Sequence, residues 1–210
     1  VGLSGGIDSL TLMWVLNERL RRIPIQYELY AVFIDPGFEG GYADALSAYC
    51  RKQGYRLHAE QTNYGVIGHS AGNRENPCFL CSRLRRKRLF EIAAEQNCNK
   101  LAMGHHKDDI IETFFLNVFY GASVSTMLPV QTFFNGKVVA IRPLYMLDEE
   151  IIRRYAKSME WPKIDLGCPS AGSSKREDVK KMLKSFYKTN KKIRGNIFHA
   201  LQNVKPEYLP

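Results

Sequence analysis

The sequence predicts an α/β fold, a parallel sheet flanked by helices, followed by a basic helical segment. Three observations carry that expectation. Short β-branched and aromatic runs alternate with stretches of helical apolar period, and that alternation builds parallel sheets covered on both faces. Glycine or an Asp-Pro-Gly turn follows one strand after another, so the strands end in loops at one edge. A hydrophobic content of 45% and a charged content of 24% over 210 residues suit one globular domain with a sizeable core and a small appendage.

Taken in order, Val1, Gly2 and Leu3 read as the end of a buried strand. Residues 4–9 (SGGIDS) turn the chain into a helix carried by Leu10, Leu12, Met13, Val15 and Leu16, ending near Arg21 before Pro24. Residues 27–34 (YELYAVFI) form a second strand, stopped by Asp35-Pro36-Gly37. A helix over 42–53 puts Leu46, Tyr49 and Cys50 on one face and stops at Gly54. Residues 56–60 are a third strand, and 63–77, with glycines, asparagines and no period, are a loop. A helix over 84–96 precedes a fourth strand, 101–103, which ends at Gly104. The helix 108–119 turns Ile111, Phe114, Phe115 and Val118 inward, and a fifth strand (138–141) and a helix (149–159) follow. Ser174-Lys175-Arg176-Glu177 is a capping box, after which Val179, Met182, Leu183, Phe186 and Tyr187 recur at helical spacing. Two parts result. Residues 1–160 form the α/β domain with an inserted Cys-x-x-Cys helix segment, and 161–210 form a basic, cysteine-containing helical segment packed on it.

Ligands of parallel sheets bind at the carboxyl ends of the strands, so residues 4–9, Asp35 and residues 104–109 should converge there. The first of these is a strand, a glycine turn and a helix N-terminus, where unpaired N–H groups and the helix dipole favour phosphate. Gly5 and Gly6 let an anion approach the backbone, Ser4 and Ser9 add hydroxyls, and Asp8 can cap the helix or hold a cation. An ordinary capped strand-to-helix turn is the plain alternative. The loop is neither a Walker A sequence nor a dinucleotide-binding glycine fingerprint. At Gly104-His105-His106-Lys107-Asp108-Asp109, one aspartate is explained as a helix cap; two are suited to Mg2+ shared with phosphates.

Cys78-Phe79-Leu80-Cys81 and the distant Cys168 can grip a metal, as zinc completed by a histidine or as an iron–sulfur cluster with one open iron. Cys50 and Cys98 read as buried thiols. Five cysteines at uneven spacing are unlike a secreted disulfide framework and point to a reducing, cytoplasmic setting. No apolar run approaches the roughly 18–20 residues needed to cross a bilayer. Lys and Arg (30) outnumber Asp and Glu (21), giving a net charge of +9, which favours a polyanionic partner. The excess gathers at Arg83, Arg85, Arg86, Lys87 and Arg88, and again over 175–194.

Together, the 4–9 loop, Pro77-Cys78-x-x-Cys81-Ser82-Arg83-Leu84-Arg85-Arg86, Gly104-His105-His106-x-Asp108-Asp109-Ile110-x-Glu112-Thr113-x-Phe115-Leu116-Asn117, Ile141-Arg142-Pro143-Leu144 and Cys168 resemble the tRNA 2-thiocytidine synthetases of the PP-loop ATP pyrophosphatase superfamily. The resemblance implies the adenine-nucleotide α-hydrolase-like fold. It implies an enzyme that adenylates a base carbonyl, at cytidine C2, and replaces its oxygen with sulfur. By it, Ser4, Gly5, Gly6, Asp8, Ser9, Asp35, Gly104, His105 and Arg142 would surround ATP. Asp108 and Asp109 would serve Mg2+ and activation, and Arg85 would steady developing charge. Cys78, Cys81 and Cys168 would ligate a [4Fe–4S] cluster, with zinc as the alternative. The implied partners are tRNA, met by Lys180, Lys184, Lys188, Lys191 and Lys192, and a sulfur donor protein such as a cysteine desulfurase, with a homodimer left open. Ile7 stands where the family commonly has Lys, so that phosphate contact is absent or supplied elsewhere, with Lys107 a candidate. Two other readings stay open: a lysidine-synthetase-like adenylating enzyme of another RNA base or small molecule, and a non-catalytic ATP- or zinc-binding module.

Overall fold

The computed structural model describes residues 1–40, 42–162, 164 and 166–208. Gly41 lies outside the described residues, as do Lys163, Asp165, Leu209 and Pro210 of the segment expected over 161–210. The elements are α1 (Ile7–Arg19), β1 (Tyr30–Asp35), α2 (Tyr42–Gln53), β2 (Arg56–Gln61), α3 (Tyr64–Gly68), α4 (Pro77–Glu95), β3 (Lys100–Ala102), α5 (Lys107–Gly121), β4 (Val130–Phe133), β5 (Val138–Ile141), α6 (Glu149–Ala156), α7 (Lys175–Thr189) and α8 (Ile193–Ala200), with a 3-10 turn at Pro206–Tyr208.

β1 pairs with β2 in parallel, and β3 pairs with β5 in parallel. Residues 1–3 join the two pairs. Gly2 bridges Val32 in parallel, Leu3 N–H donates to the Val32 carbonyl, and Gly2 N–H donates to the Ala102 carbonyl. The order is therefore β2, β1, residues 1–3, β3, β5, β4. The expected parallel sheet needs one correction, because β4 is antiparallel to β5. That hairpin turns through Phe134, Asn135 and Gly136, all with positive φ. Asn135-Gly136 is the hairpin signal that would have revealed β4.

The two-residue period of β1 decides which helix each side chain meets. Ala31 and Phe33 pack with Leu3, Leu10, Met13 and Leu46 beneath α1 and α2, while Val32 and Ile34 pack on Ile92 of α4. Across the sheet, Leu101 and Met103 meet Phe90 of α4, and Ala102 meets Leu12 of α1 and Ile152 of α6. A further cluster, Ile110, Ile111, Val179, Leu183 and Phe198, holds α7 and α8 against α5.

Two further boundaries depart from expectation. The stretch 63–77 contains α3, whose five residues are too short to show a period. Helix α4 begins at Pro77 rather than at 84, with the Asn76 side chain capping Phe79 N–H at 3.2 Å and proline in its first turn. That earlier start matters for chemistry. It puts Cys78 and Cys81 three residues apart on one helix face, with Arg85 one turn beyond.

Candidate active site

A cleft of about 320 Å³ opens where the strands end, lined on one side by Ser4, Asp8 and Ser9 and on the other by Ser82, Arg85, Arg86 and Leu89 of α4. Gly104, His105 and Asp109 border it as well, and Leu3, Val32, Ile34 and Met103 supply apolar wall. Such a mixture suits a flat apolar ring joined to a charged tail.

The glycine loop is stapled by its own serines. Buried Ser9 accepts from Ser4 N–H at 3.1 Å and from the Ser4 hydroxyl at 3.2 Å, and its hydroxyl donates to the Gly6 carbonyl at 2.9 Å. Ser9 therefore shapes the loop, in which Ser4 and Gly6 are exposed and Gly6 N–H makes a long bond of 3.4 Å to Ser4 Oγ. Gly5 has φ +83°, a left-handed conformation that disfavours a side chain. Gly104 is glycine for another reason: a Cβ there would stand 3.0 Å from the Asp8 carbonyl carbon and 3.1 Å from Ser9 N. The end of β3 and the start of α1 touch at this point.

The two neighbouring aspartates part company. Asp109 faces the cleft and closes a capping box, accepting from His106 N–H at 3.0 Å. Its second oxygen lies 3.4 Å from Arg176 of α7, and that guanidinium also reaches Glu112 at 3.2 Å and Thr113 at 3.1 Å. Asp108 is turned away. It caps α6 by accepting from Glu149 N–H at 2.8 Å and pairs with Arg194 of α8 at 3.2 Å. The two carboxylates expected to serve a metal are thus separated: Asp109 lines the cleft together with Asp8, and Asp108 does not. His106, 3% exposed, stands between them, 3.8 Å from Asp8 and 3.4 Å from Asp109. Burial pushes the Asp8 carboxyl up, with His106 opposing and Asp109 adding to the shift, and its Oδ1 is buried with no hydrogen-bond partner. A buried, unpartnered carboxylate oxygen fits a cation.

His105 lines the cleft as a neutral imidazole. Burial lowers its pKa to about 4, with Arg142, Arg176 and Arg86 pushing the same way and Asp109 opposing. Behind Asp109, burial raises Glu112 to about 7 in spite of Arg176 and Lys180, whereas hydrogen bonds from Lys180 and Arg153 outweigh burial and hold Glu149 at about 2.

Several expected contacts fall elsewhere. Arg142 is buried outside the cleft lining, its guanidinium donating to the Leu128 carbonyl, so it backs the site instead of holding ATP. Asp35 is also buried and closes its own turn, accepting from Gly37 N–H at 2.8 Å. Lys107 cannot replace the lysine missing at position 7, because its ammonium pairs with Asp148 at 2.6 Å. Exposed Arg86, with no ion pair among the described residues, is the cation at the cleft mouth instead. Lys180 turns inward to Glu149 at 2.9 Å, whereas Lys184, Lys188, Lys191 and Lys192 are exposed. Arg176 was read only as part of a helix start. No local signal marks an arginine whose partners lie more than sixty residues away.

Cys81 lies within electrostatic reach of both Cys78 and Cys168, one helical turn before Arg85, which lines the cleft. Burial pushes the Cys81 thiol up, Arg85 opposes that, and Cys168 and Cys78 add to it. Arg85 lies between thiols and cleft, with a buried Nε that has no partner. Among the described residues, no three His, Cys, Asp or Glu side chains form a group that could hold a single metal ion.

A family model described as the PP-loop domain matches residues 1–163. The tRNA-cytidine(32) 2-sulfurtransferase of Geotalea uraniireducens (strain Rf4) is 39% identical, over 100% of this chain and 84% of that protein. The protein of the same name from Geobacter sulfurreducens is 38% identical, with 100% and 82% covered. Among solved structures, the U34-tRNA thiolase NcsA from Methanococcus maripaludis with its [4Fe–4S] cluster superposes with a TM-score of 0.76 and 26% identity, covering 100% of this chain and 71% of that one. An NH3-dependent NAD synthetase from Campylobacter jejuni shares the fold, with a TM-score of 0.50 at 16% identity.

Proposed function

Because the chain belongs to the PP-loop family, in its tRNA-cytidine(32) 2-sulfurtransferase branch, we infer that it is an ATP-dependent tRNA sulfurtransferase acting on a cytidine. The observation that carries this reading is the pairing of two chemistries across one cleft. The glycine loop and carboxylates line one wall, and half-buried Arg85, in electrostatic reach of Cys81 and Cys168, lines the other.

In this reading the N–H groups of residues 4–9 and the first turn of α1 bind the phosphates, and Leu3, Val32, Ile34 and Met103 cover the adenine. Asp8 and Asp109 would hold Mg2+, which when bound neutralises phosphate charge. Neutral His105 offers a hydrogen bond to phosphate without adding a proton of its own, since burial keeps it uncharged above about pH 4. The base carbonyl oxygen attacks the α-phosphate and pyrophosphate leaves. The oxygen, a poor leaving group on the base, then departs within AMP when sulfur adds to the same carbon. Half-buried Arg85, on the cleft wall, would meet the negative charge that develops between the two partners.

Cys78, Cys81 and Cys168 would hold a [4Fe–4S] cluster, which with three protein thiolates supplies one iron free for sulfur. The [4Fe–4S] cluster of the structurally similar NcsA thiolase supports an iron–sulfur group over zinc. Exposed Lys184, Lys188, Lys191 and Lys192 give the tRNA backbone its phosphate contacts, and an unpaired loop base can enter the cleft.

The test is thiolation of unmodified tRNA by anaerobically prepared protein with ATP and sulfide, read by mass spectrometry of the nucleosides. 2-Thiocytidine formed only with ATP present is the expected result. Adenylation with no sulfur incorporated into any tRNA would overturn the sulfurtransferase reading and restore the lysidine-synthetase-like one.

A further inference from the structure

Cys168 reaches the Cys-x-x-Cys turn from a distant part of the chain, and the described contacts show what ties the two together. His69 follows α3, and its ring is fixed on three sides. Nδ1 lies 2.9 Å from the Gly65 carbonyl, Nε2 lies 2.7 Å from Ser170 Oγ, and the Phe38 ring packs edge-on at 5.5 Å. Because a carbonyl only accepts, Nδ1 carries the proton, and Nε2 then accepts from the Ser170 hydroxyl. The bond spans 101 residues and is a chosen tautomer, not an adaptable contact.

Each end of this bond is firmly joined to a thiol. On one side, Gly68 packs so closely on α4 that a Cβ would stand 2.9 Å from the Pro77 carbonyl and 3.4 Å from Cys81 Cβ. The loop from α3 to α4 is stapled by Asn73, whose amide donates to the carbonyls of Gly68 at 2.6 Å and Glu75 at 3.0 Å. On the other side, Ala171 N–H donates to the Cys168 carbonyl at 2.9 Å, so Ser170 rides inside the turn that carries Cys168. Holding Ser170 holds Cys168.

We propose that the His69–Ser170 hydrogen bond is a latch that positions Cys168 over the Cys78–Cys81 turn, preassembling the three-thiol set. The proposal rests on the reading of these thiols as one ligand set, and its test separates the two. His69 and Ser170 are positioning residues that touch neither nucleotide nor reacting atoms. Without the latch, the Cys168 turn loses a long-range side-chain tether and spends less time within reach of Cys81.

The experiment measures the rate at which dibromobimane, a short thiol cross-linker, joins Cys81 to Cys168 in the full-length chain before iron is supplied, mapped by mass spectrometry. His69→Ala and Ser170→Ala should each slow that link by about five- to tenfold, the worth of one half-buried hydrogen bond. The double variant should be no slower than either single one, as expected for two residues acting through one bond. After anaerobic reconstitution, cluster absorbance should fade faster in the same variants. Unchanged cross-linking in the single variants, or losses that add in the double variant, would overturn the latch even if the wild type thiolates tRNA. Slowed cross-linking in chains that take up no iron would uphold the latch and sink the cluster.

Discussion

The two walls of the cleft are held by different means. Residues 4–9 keep their shape through bonds among near neighbours: Ser9 to Ser4 and Gly6, Thr11 to Ile7 at 2.7 Å, and the helix that begins at Ile7. The thiol wall depends on contacts between distant segments, the His69–Ser170 bond among them, and the acidic end of α5 depends on Arg176 and Arg194 from the C-terminal helices. A locally built wall tolerates change elsewhere in the chain except where another segment packs directly on it, as Gly104 does. A wall built by long-range side-chain contacts fails one contact at a time.

The sharpest break of this contrast uses two adjacent aspartates. Asp109→Asn should lower the rate of tRNA-dependent pyrophosphate release by about a thousandfold, as for loss of a group that organises transition-state charge. Asp108→Asn should spare turnover per folded molecule. It should instead lower stability by about 2 kcal/mol in a urea titration, because it weakens the α6 cap and the pair with Arg194. Equal loss of turnover in both would abolish the distinction drawn between them.

The next largest effect should come from Gly104→Ala. Its Cβ must push apart β3 and the first turn of α1, so ATP affinity should fall by about tenfold or more by calorimetry, with cluster content unchanged. Replacing Lys184, Lys188, Lys191 and Lys192 together by Ala should leave ATP binding alone and flatten the salt dependence of tRNA binding by about 3 in logarithmic slope. Adding Lys180→Ala should not flatten it further, since that lysine is committed to Glu149.

The smallest effects concern pH. His105 has a folded pKa of about 4, below its ordinary value, so it contributes stability above about pH 6.5 that is lost as pH falls towards 4. Glu112 is raised to about 7, so its contribution is full below about pH 4.5 and is lost as pH rises through 7. In denaturation series, His105→Gln should flatten the acid limb and Glu112→Gln the neutral limb. A swapped assignment would refute the burial described for each.

Periodicity and turn chemistry made most of the fold legible in the sequence, because each rests on neighbours. The unbroken apolar run in residues 27–34 already marks a strand covered on both faces, and helix α2 and strand β5 fall where their patterns end. The glycine loop was legible for the same reason: its conformation is set within six residues. What the tertiary structure decided is the direction in which ambiguous side chains point. Asp108 and Asp109 are alike in sequence, yet a helix rotates successive residues by about 100°, so one meets the cleft and the other meets α6 and α8. Lys180 looks like its neighbours in a basic run until Glu149 comes within 2.9 Å of it, and Arg176 finds its partners only when α7 lies along α5. Sequence determined which residues could carry phosphate, metal and thiol chemistry; packing decided which of them face one another, because charges and hydrogen bonds act through space and not along the chain.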